Sequence, residues 1–163
     1  MAILDDDNII DLDLSVIRKK RFRIDGDSSR CLELNTSDLG IFARLKDIYP
    51  KMRKLAEAAA TVLTIEDDVE EDSENEELAS VNALAKLTDI DKELRGYLDE
   101  IFDSNVSEVC APDGTLFDPV NGALRFEHII EVLTGLYEDN LQNEFKAMTK
   151  RVQKHTNKYT KKK

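Results

Sequence analysis

Lys19-Lys20-Arg21-Phe22-Arg23-Ile24-Asp25-Gly26-Asp27-Ser28-Ser29-Arg30-Cys31-Leu32-Glu33-Leu34 is the stretch on which the fold class turns. Lys20 to Ile24 alternates basic and apolar residues, so Phe22 and Ile24 share one face of a strand. Arg30 to Leu34 alternates again, and Leu32 and Leu34 share a face. Between them, Asp25-Gly26-Asp27-Ser28-Ser29 is turn chemistry: Gly26 accepts a positive φ, and the Asp and Ser side chains can bond nearby backbone. The spacing predicts an antiparallel β-hairpin. Upstream, Ile9-Ile10-Asp11-Leu12-Asp13-Leu14 partly alternates and is expected to add a third strand. A sheet this small is marginal alone, so it must lie on helices or pair with another subunit.

Downstream the period changes from two to three and four. Asn35-Thr36-Ser37-Asp38 offers N-cap side chains. Phe42, Leu45, Tyr49, Met52, Ala56, Ala59 and Leu63 then form a helical seam. Pro50 lies inside it, which predicts a kink near Tyr49 or two consecutive helices. A second long helix is expected from about Glu77 to Phe102, with Ala83, Leu87, Ile90, Leu94, Tyr97 and Ile101 as its seam. The matching seams suggest a helical hairpin. Val106 to Cys110 reads as a short helical turn, and Pro112-Asp113-Gly114 and Asp118-Pro119-Val120-Asn121-Gly122 as turns. A third long helix, from about Arg125 to Lys154, carries Phe126, Ile130, Leu133, Tyr137, Leu141, Phe145, Met148 and Val152 on one stripe. The fold class expected is therefore α+β: an N-terminal antiparallel hairpin or small three-stranded sheet, then a predominantly helical bundle. The organisation is a β segment over 1–34, a helical domain over 35–155 and a basic flexible tail over 156–163.

Charge is distributed in blocks. The 163 residues carry a net −11. Residues 66–77 hold nine acids in twelve positions, and the whole span 64–77 is expected to be a solvated acidic loop between the first two helices. That block lacks the central glycine and spaced oxygen ligands of a calcium-binding EF-hand loop. Asp25-Gly26-Asp27 fails the same test, since the sixth position from Asp25 is Arg30 and the twelfth is Thr36. From Lys146 onward there are eight Lys or Arg and no acid, so the tail carries +8 and the rest −19.

The chemistry-bearing residues exclude more than they assert. His128 and His155 are the two histidines, and neither has a cysteine or second histidine at zinc-ligand spacing. No glycine-rich phosphate loop, dinucleotide fingerprint or nucleophile elbow is present. The expectation is a non-enzyme without cofactor or metal. Cys31 and Cys110 are expected to be small buried apolar groups, reduced rather than bridged, in a cytosol. No apolar run approaches the length of a membrane span, and the acidic first residues do not resemble a signal peptide. The basic tail suits weak phosphate contact, but the acidic body would repel a duplex lying near it.

Several segments resemble one family in order along the chain. The basic-apolar strand, Asp25-Gly26, Leu32-Glu33-Leu34-Asn35-Thr36-Ser37-Asp38 and Phe42-Ala43-Arg44-Leu45 are similar to the opening of small proteins from tailed-phage and prophage tail modules. Ile101 to Cys110 looks like their "hydrophobic-Phe-Gly-x-x-x-Cys" region, with Asp103 standing where glycine is usual. The ending, Glu144-Phe145-Lys146 through Lys158-Tyr159-Thr160-Lys161, resembles their basic terminus. These proteins are the tail assembly chaperones of long-tailed phages. The resemblance implies a non-enzymatic protein in the cytoplasm of an infected or lysogenic bacterial host. It would keep the helical tape-measure protein soluble before the tail tube polymerises, then leave. The implied partners are the tape-measure protein and, secondarily, the tail-tube protein; a homo-oligomer is compatible, a membrane is not involved, and nucleic acid is disfavoured. Residues assigned to partner contact are Phe126, Tyr137, Phe145, Lys150, Arg151, Lys154, Lys158 and Tyr159. Two alternatives stand beside this: a structural tail or connector component, and a nucleic-acid-binding or other helical interaction module.

Overall fold

A computed structural model describes residues 10, 12, 19–65 and 73–160. Its elements in order are β1 (Lys20–Ile24), β2 (Asp27–Leu34), α1 (Gly40–Ile65), α2 (Ser73–Phe102), α3 (Val106–Cys110), β3 (Pro119–Val120), β4 (Ala123–Leu124) and α4 (Arg125–Thr160). This is the expected α+β arrangement, a two-stranded antiparallel hairpin followed by mostly helical chain. The strand expected over Ile9–Leu14 lies outside the described residues except for Ile10 and Leu12, which are in no strand.

The hairpin forms as its alternation dictates. Phe22 pairs with Leu32 and Lys20 with Leu34, so the apolar side chains of both strands fall on one face. Asp25 and Gly26 both take positive φ, +52° and +71°, the paired left-handed geometry of a tight turn whose twist matches the strands. Asn121 and Gly122 repeat that solution, at +50° and +82°, between β3 and β4. Leu32 and Leu34 are buried against a single core shared with Ile41, Ile48 and Met52 of α1, Leu94, Leu98 and Ile101 of α2, and Phe126, Ile130, Leu133 and Tyr137 of α4.

α1 is one continuous helix, not two, and Pro50 lies inside it. Its buried line also differs from the expected seam. Ile41 and Ile48 are fully inside, while Phe42, Leu45 and Tyr49 are half-buried and Leu63 is exposed. α2 starts four residues earlier than expected, at Ser73. The expected acidic loop over 64–77 is therefore shorter than its charge suggests. Thr64 and Ile65 belong to α1 and 73–77 to α2, while 66–72 lies outside the described residues. Acids in the first turn of a helix favour its positive N-terminal end, so the block's downstream part can be helical. α4 likewise continues through the expected boundary at 156 to Thr160, and residues 161–163 lie outside the described residues.

Arginine side chains tie the helix ends together. Helix C-terminal carbonyls lack intrahelical donors, and cations there also suit the helix dipole. Arg44 Nε donates to the Ile101 carbonyl at 2.9 Å and pairs with Asp38 at 2.6 Å. Arg30 Nε donates to the Val109 carbonyl at 3.0 Å. Arg95 reaches the Ser107, Ala111 and Gly114 carbonyls at once.

Asp103 ends α2 in a left-handed conformation, φ +48°, with the Ser104 N–H donating back to the Asp99 carbonyl at 3.2 Å. Glycine takes this helix-ending position without a Cβ penalty. Asp103→Gly is therefore expected to stabilise the fold by about 0.5–1 kcal/mol, the left-handed penalty less the greater chain entropy of glycine. Thermal melts should show the midpoint rising by about 1–4 °C for a chain of this size. A lowered midpoint would mean that the Asp103 carboxylate makes a compensating contact.

Candidate helix-binding groove

The offset of α1's buried line creates a surface feature. Ile41, Ile48 and Met52 face the core, so Phe42, Leu45 and Tyr49 are rotated part-way out. α4 runs alongside and supplies Ile130, Glu127 and Glu131; Ala123 of β4 also lines the space. The result is an open groove of about 660 Å³ with an apolar floor and polar edges at Lys46, Glu127 and Glu131. Pro50 also lines it, and having no N–H it cannot donate to the carbonyl of Lys46 one turn earlier.

The groove wall is fixed by a small polar network. Tyr49 packs its ring against Phe126, centroids 6.3 Å apart, and its hydroxyl donates to Glu127 Oε1 at 3.2 Å. Arg53 pairs with the same carboxylate, and the Leu124 N–H donates to Glu127 Oε2 at 3.1 Å. Burial alone would raise the Glu127 pKa, but these donors and the Arg53 cation outweigh it and hold the carboxyl below its ordinary value. Burial, then the Glu127 charge, pushes the Tyr49 phenol up. Tyr49 therefore acts as a neutral donor that orients Glu127.

Midway along the same helix, α4 is clamped to the hairpin and the start of α1. Lys20 Nζ donates to Asn140 Oδ1 at 2.6 Å, Asn140 Nδ2 to the Thr36 carbonyl at 3.2 Å, and Ser37 Oγ to Glu144 Oε1 at 2.8 Å. Beyond Glu144 every described α4 side chain is exposed.

The residues assigned to partner contact from sequence split along this line. Phe126 and Tyr137 are 0% and 1% exposed and belong to the core, Tyr137 stacking obliquely on Phe102 at 6.0 Å. They are not contact surface, because α4's first half is the segment the bundle covers. Phe145, Lys150, Arg151, Lys154 and Lys158 lie on the projecting second half and are exposed. Tyr159 is on the same helix, its side chain outside what is described. Sequence reasoning missed the groove residues Phe42, Leu45, Tyr49 and Pro50 as a surface. The signal was present: two adjacent apolar stripes on one helix, only one of which a bundle can bury.

Among the described residues, no group of three or more His, Cys, Asp or Glu is placed to hold a metal ion, and no helix is long and apolar enough to cross a membrane. Cys31 and Cys110 are free and half-buried. Burial pushes the Cys110 thiol up to about 11 against the opposing charge of Arg30, so it is a poor nucleophile. Comparison with family models, curated proteins and solved structures gives no match.

Proposed function

We propose that this protein is a binding protein for a helical partner, and specifically a phage tail assembly chaperone that holds a segment of the tape-measure protein in the α1–α4 groove. The observation that carries the reading is the groove itself: an open, apolar-floored channel between two helices, bordered by charges of both signs. A helix laid in such a groove buries its apolar stripe there and orients its polar flanks on the rim. Support also comes from Asp103. It stands where the resembled family carries glycine, and it adopts the left-handed backbone that glycine favours.

The chemistry of the site fits reversible holding. Of its ionisable groups, Tyr49 donates to Glu127, and Glu127 also pairs with Arg53. Binding is therefore expected to be stoichiometric and without turnover, keeping an apolar-striped helix from aggregating until it is displaced.

Leu45→Glu is the direct test. The protein and its charge variant are titrated with a helical fragment of a phage tape-measure protein. Placing a carboxylate on the apolar floor should weaken binding by about tenfold or more, a loss of at least roughly 1.4 kcal/mol. The fold should persist, since Leu45 is only half-buried. Undiminished affinity would remove the groove from the binding site. Recovery of the protein as a repeating ring in finished virions would replace the chaperone reading with that of a structural tail component.

A further inference from the structure

Two apolar surfaces outside the groove remain uncovered, and they lie at opposite ends of the molecule. On α4, Phe145, Met148 and Val152 are 56%, 59% and 64% exposed. They continue the stripe that Phe126 to Tyr137 bury in the core. On α2, Leu78, Val81 and Leu84 are 62%, 61% and 62% exposed. Spaced three apart, they lie away from Ala83, which is buried in the α1–α2 pairing.

The flanking charges are opposite. The α4 stripe lies among Lys146, Lys150, Arg151 and Lys154, with no acid from 146 onward. The α2 stripe directly follows the block over 66–77 with nine acids in twelve residues. Each surface is thus an apolar strip with a charged surround, and the surrounds attract.

One chain cannot join them. α4 runs antiparallel to α1: Glu127 meets Tyr49 and Arg53, whereas Asn140 meets Thr36 and Lys20. Past Glu144 the helix leads away from the bundle for roughly 24 Å, at about 1.5 Å per residue, beyond the start of α1. α1 ends at Ile65, roughly 18 Å beyond Arg53 in the opposite direction on the same scale, and α2 starts at that end, since its own last turn lies beside Arg44.

We propose that the occupant of each surface is a second copy of this chain: the basic α4 stripe of one molecule packs on the acid-flanked α2 stripe of the next. Because the two patches differ, the contact is head-to-tail, and an open assembly keeps one free surface of each kind, one at each end, until it closes. The contact leaves the α1–α4 groove open, so it does not depend on what the groove holds.

The test is sedimentation velocity on the full chain over a concentration series at low and high ionic strength. At low salt the wild type should sediment faster as concentration rises. Its apparent association constant should fall about tenfold or more as the screening length drops from about 10 Å near 0.1 M salt to about 3 Å near 1 M. Two variants then settle the geometry. Val81→Arg removes the α2 surface and Phe145→Asp the α4 surface, and both positions are exposed, so circular dichroism should show native fold. Each variant alone should be a monomer, because each keeps just one half of the contact. Mixed in equal amounts, they should form a dimer and nothing larger, through the intact half of each. A wild type that stays monomeric at all conditions overturns the proposal. So does a mixture that fails to pair while the wild type associates, which would indicate a symmetric interface. Monomers that instead retain nucleic acid at low salt would assign the basic stripe to phosphate binding and overturn it as well. Leu45→Glu should self-associate normally, which separates this contact from the groove.

Discussion

Phe126→Ala is expected to lower the unfolding free energy by about 3–5 kcal/mol, whereas Phe145→Ala, on the same stripe of the same helix, should change it by less than about 0.5 kcal/mol. Phe126 is wholly buried and Phe145 is 56% exposed. The first truncation leaves a cavity bounded by Tyr49, whose ring loses its 6.3 Å partner, and by the core residues of three helices. It keeps the backbone bond from the Phe126 N–H to the Leu116 carbonyl, so the loss is one of packing. Domains of this class are stable by only about 5–15 kcal/mol, so the variant will be close to its limit at the lower end of that range. Urea unfolding of both variants provides the comparison. Equal costs would mean that the distal half of α4 is packed rather than free, and the head-to-tail surface would be lost with it.

That contrast also marks what the amino-acid order could and could not convey. The hairpin was legible because its signals agree: period-two alternation on both strands, and Asp25-Gly26 between them at the two positions needing positive φ. The α2 seam was legible for a similar reason. Ala83, Leu87, Ile90, Leu94, Tyr97 and Ile101 are all at least half-buried, with Leu98 and Phe102 widening the line. α1 was not, because it carries two overlapping lines. Ile41, Leu45, Ile48 and Met52 fit helical spacing as well as Phe42, Leu45, Tyr49 and Met52 do. Pattern cannot choose between them; packing against α2 and the shared core chooses, by covering Ile41, Ile48 and Met52. Phe42, Leu45 and Tyr49 become the groove floor.

The third stripe poses the converse problem. Its eight apolar residues are continuous in sequence, yet the core ends near Leu141 because α1 begins at Gly40 and the hairpin ends beside it. Periodicity reports which residues share a face and is silent on where the neighbouring elements stop. The charge pattern supplies the missing half. Basic residues gather from Lys146 onward, just past the last clamp at Glu144, and in the sequence acids gather between α1 and the start of α2. The basic block thus marks where the core stops covering α4.

Arg95→Ala is expected to cost about 2–4 kcal/mol and to loosen one segment before the rest of the fold, since hydrogen bonds to charged groups contribute about 1.5–3 kcal/mol and are not additive within a network. Arg95 donates to the Ser107 carbonyl at 3.2 Å, Ala111 at 2.8 Å and Gly114 at 3.0 Å, and pairs through Nε with Asp91 at 2.8 Å. Asp91 in turn accepts the Leu116 N–H at 2.7 Å. One guanidinium thus holds the end of α3 and the turn after it against α2. The two side chains are 23% and 15% exposed, so water replaces the lost donors poorly. Arg95→Lys should recover little, because a point charge cannot span three carbonyls and a carboxylate together. Arg21→Ala is the control: its pair with Glu33 is 71% and 55% exposed, and its loss should cost less than about 1 kcal/mol. Native-state hydrogen exchange should show amides over 107–118 opening earliest in Arg95→Ala. The effect should extend to binding. The Leu116 carbonyl receives the Phe126 N–H at 2.9 Å and the Asp118 carbonyl receives the Arg125 N–H at 2.8 Å, so this segment sets the start of α4. The start of α4 carries Glu127 and Ile130, one wall of the groove. A variant that is folded yet binds the helical partner more weakly would place Arg95 as the residue that positions that wall. Unchanged exchange over 107–118 would show instead that the segment is held by its own turns.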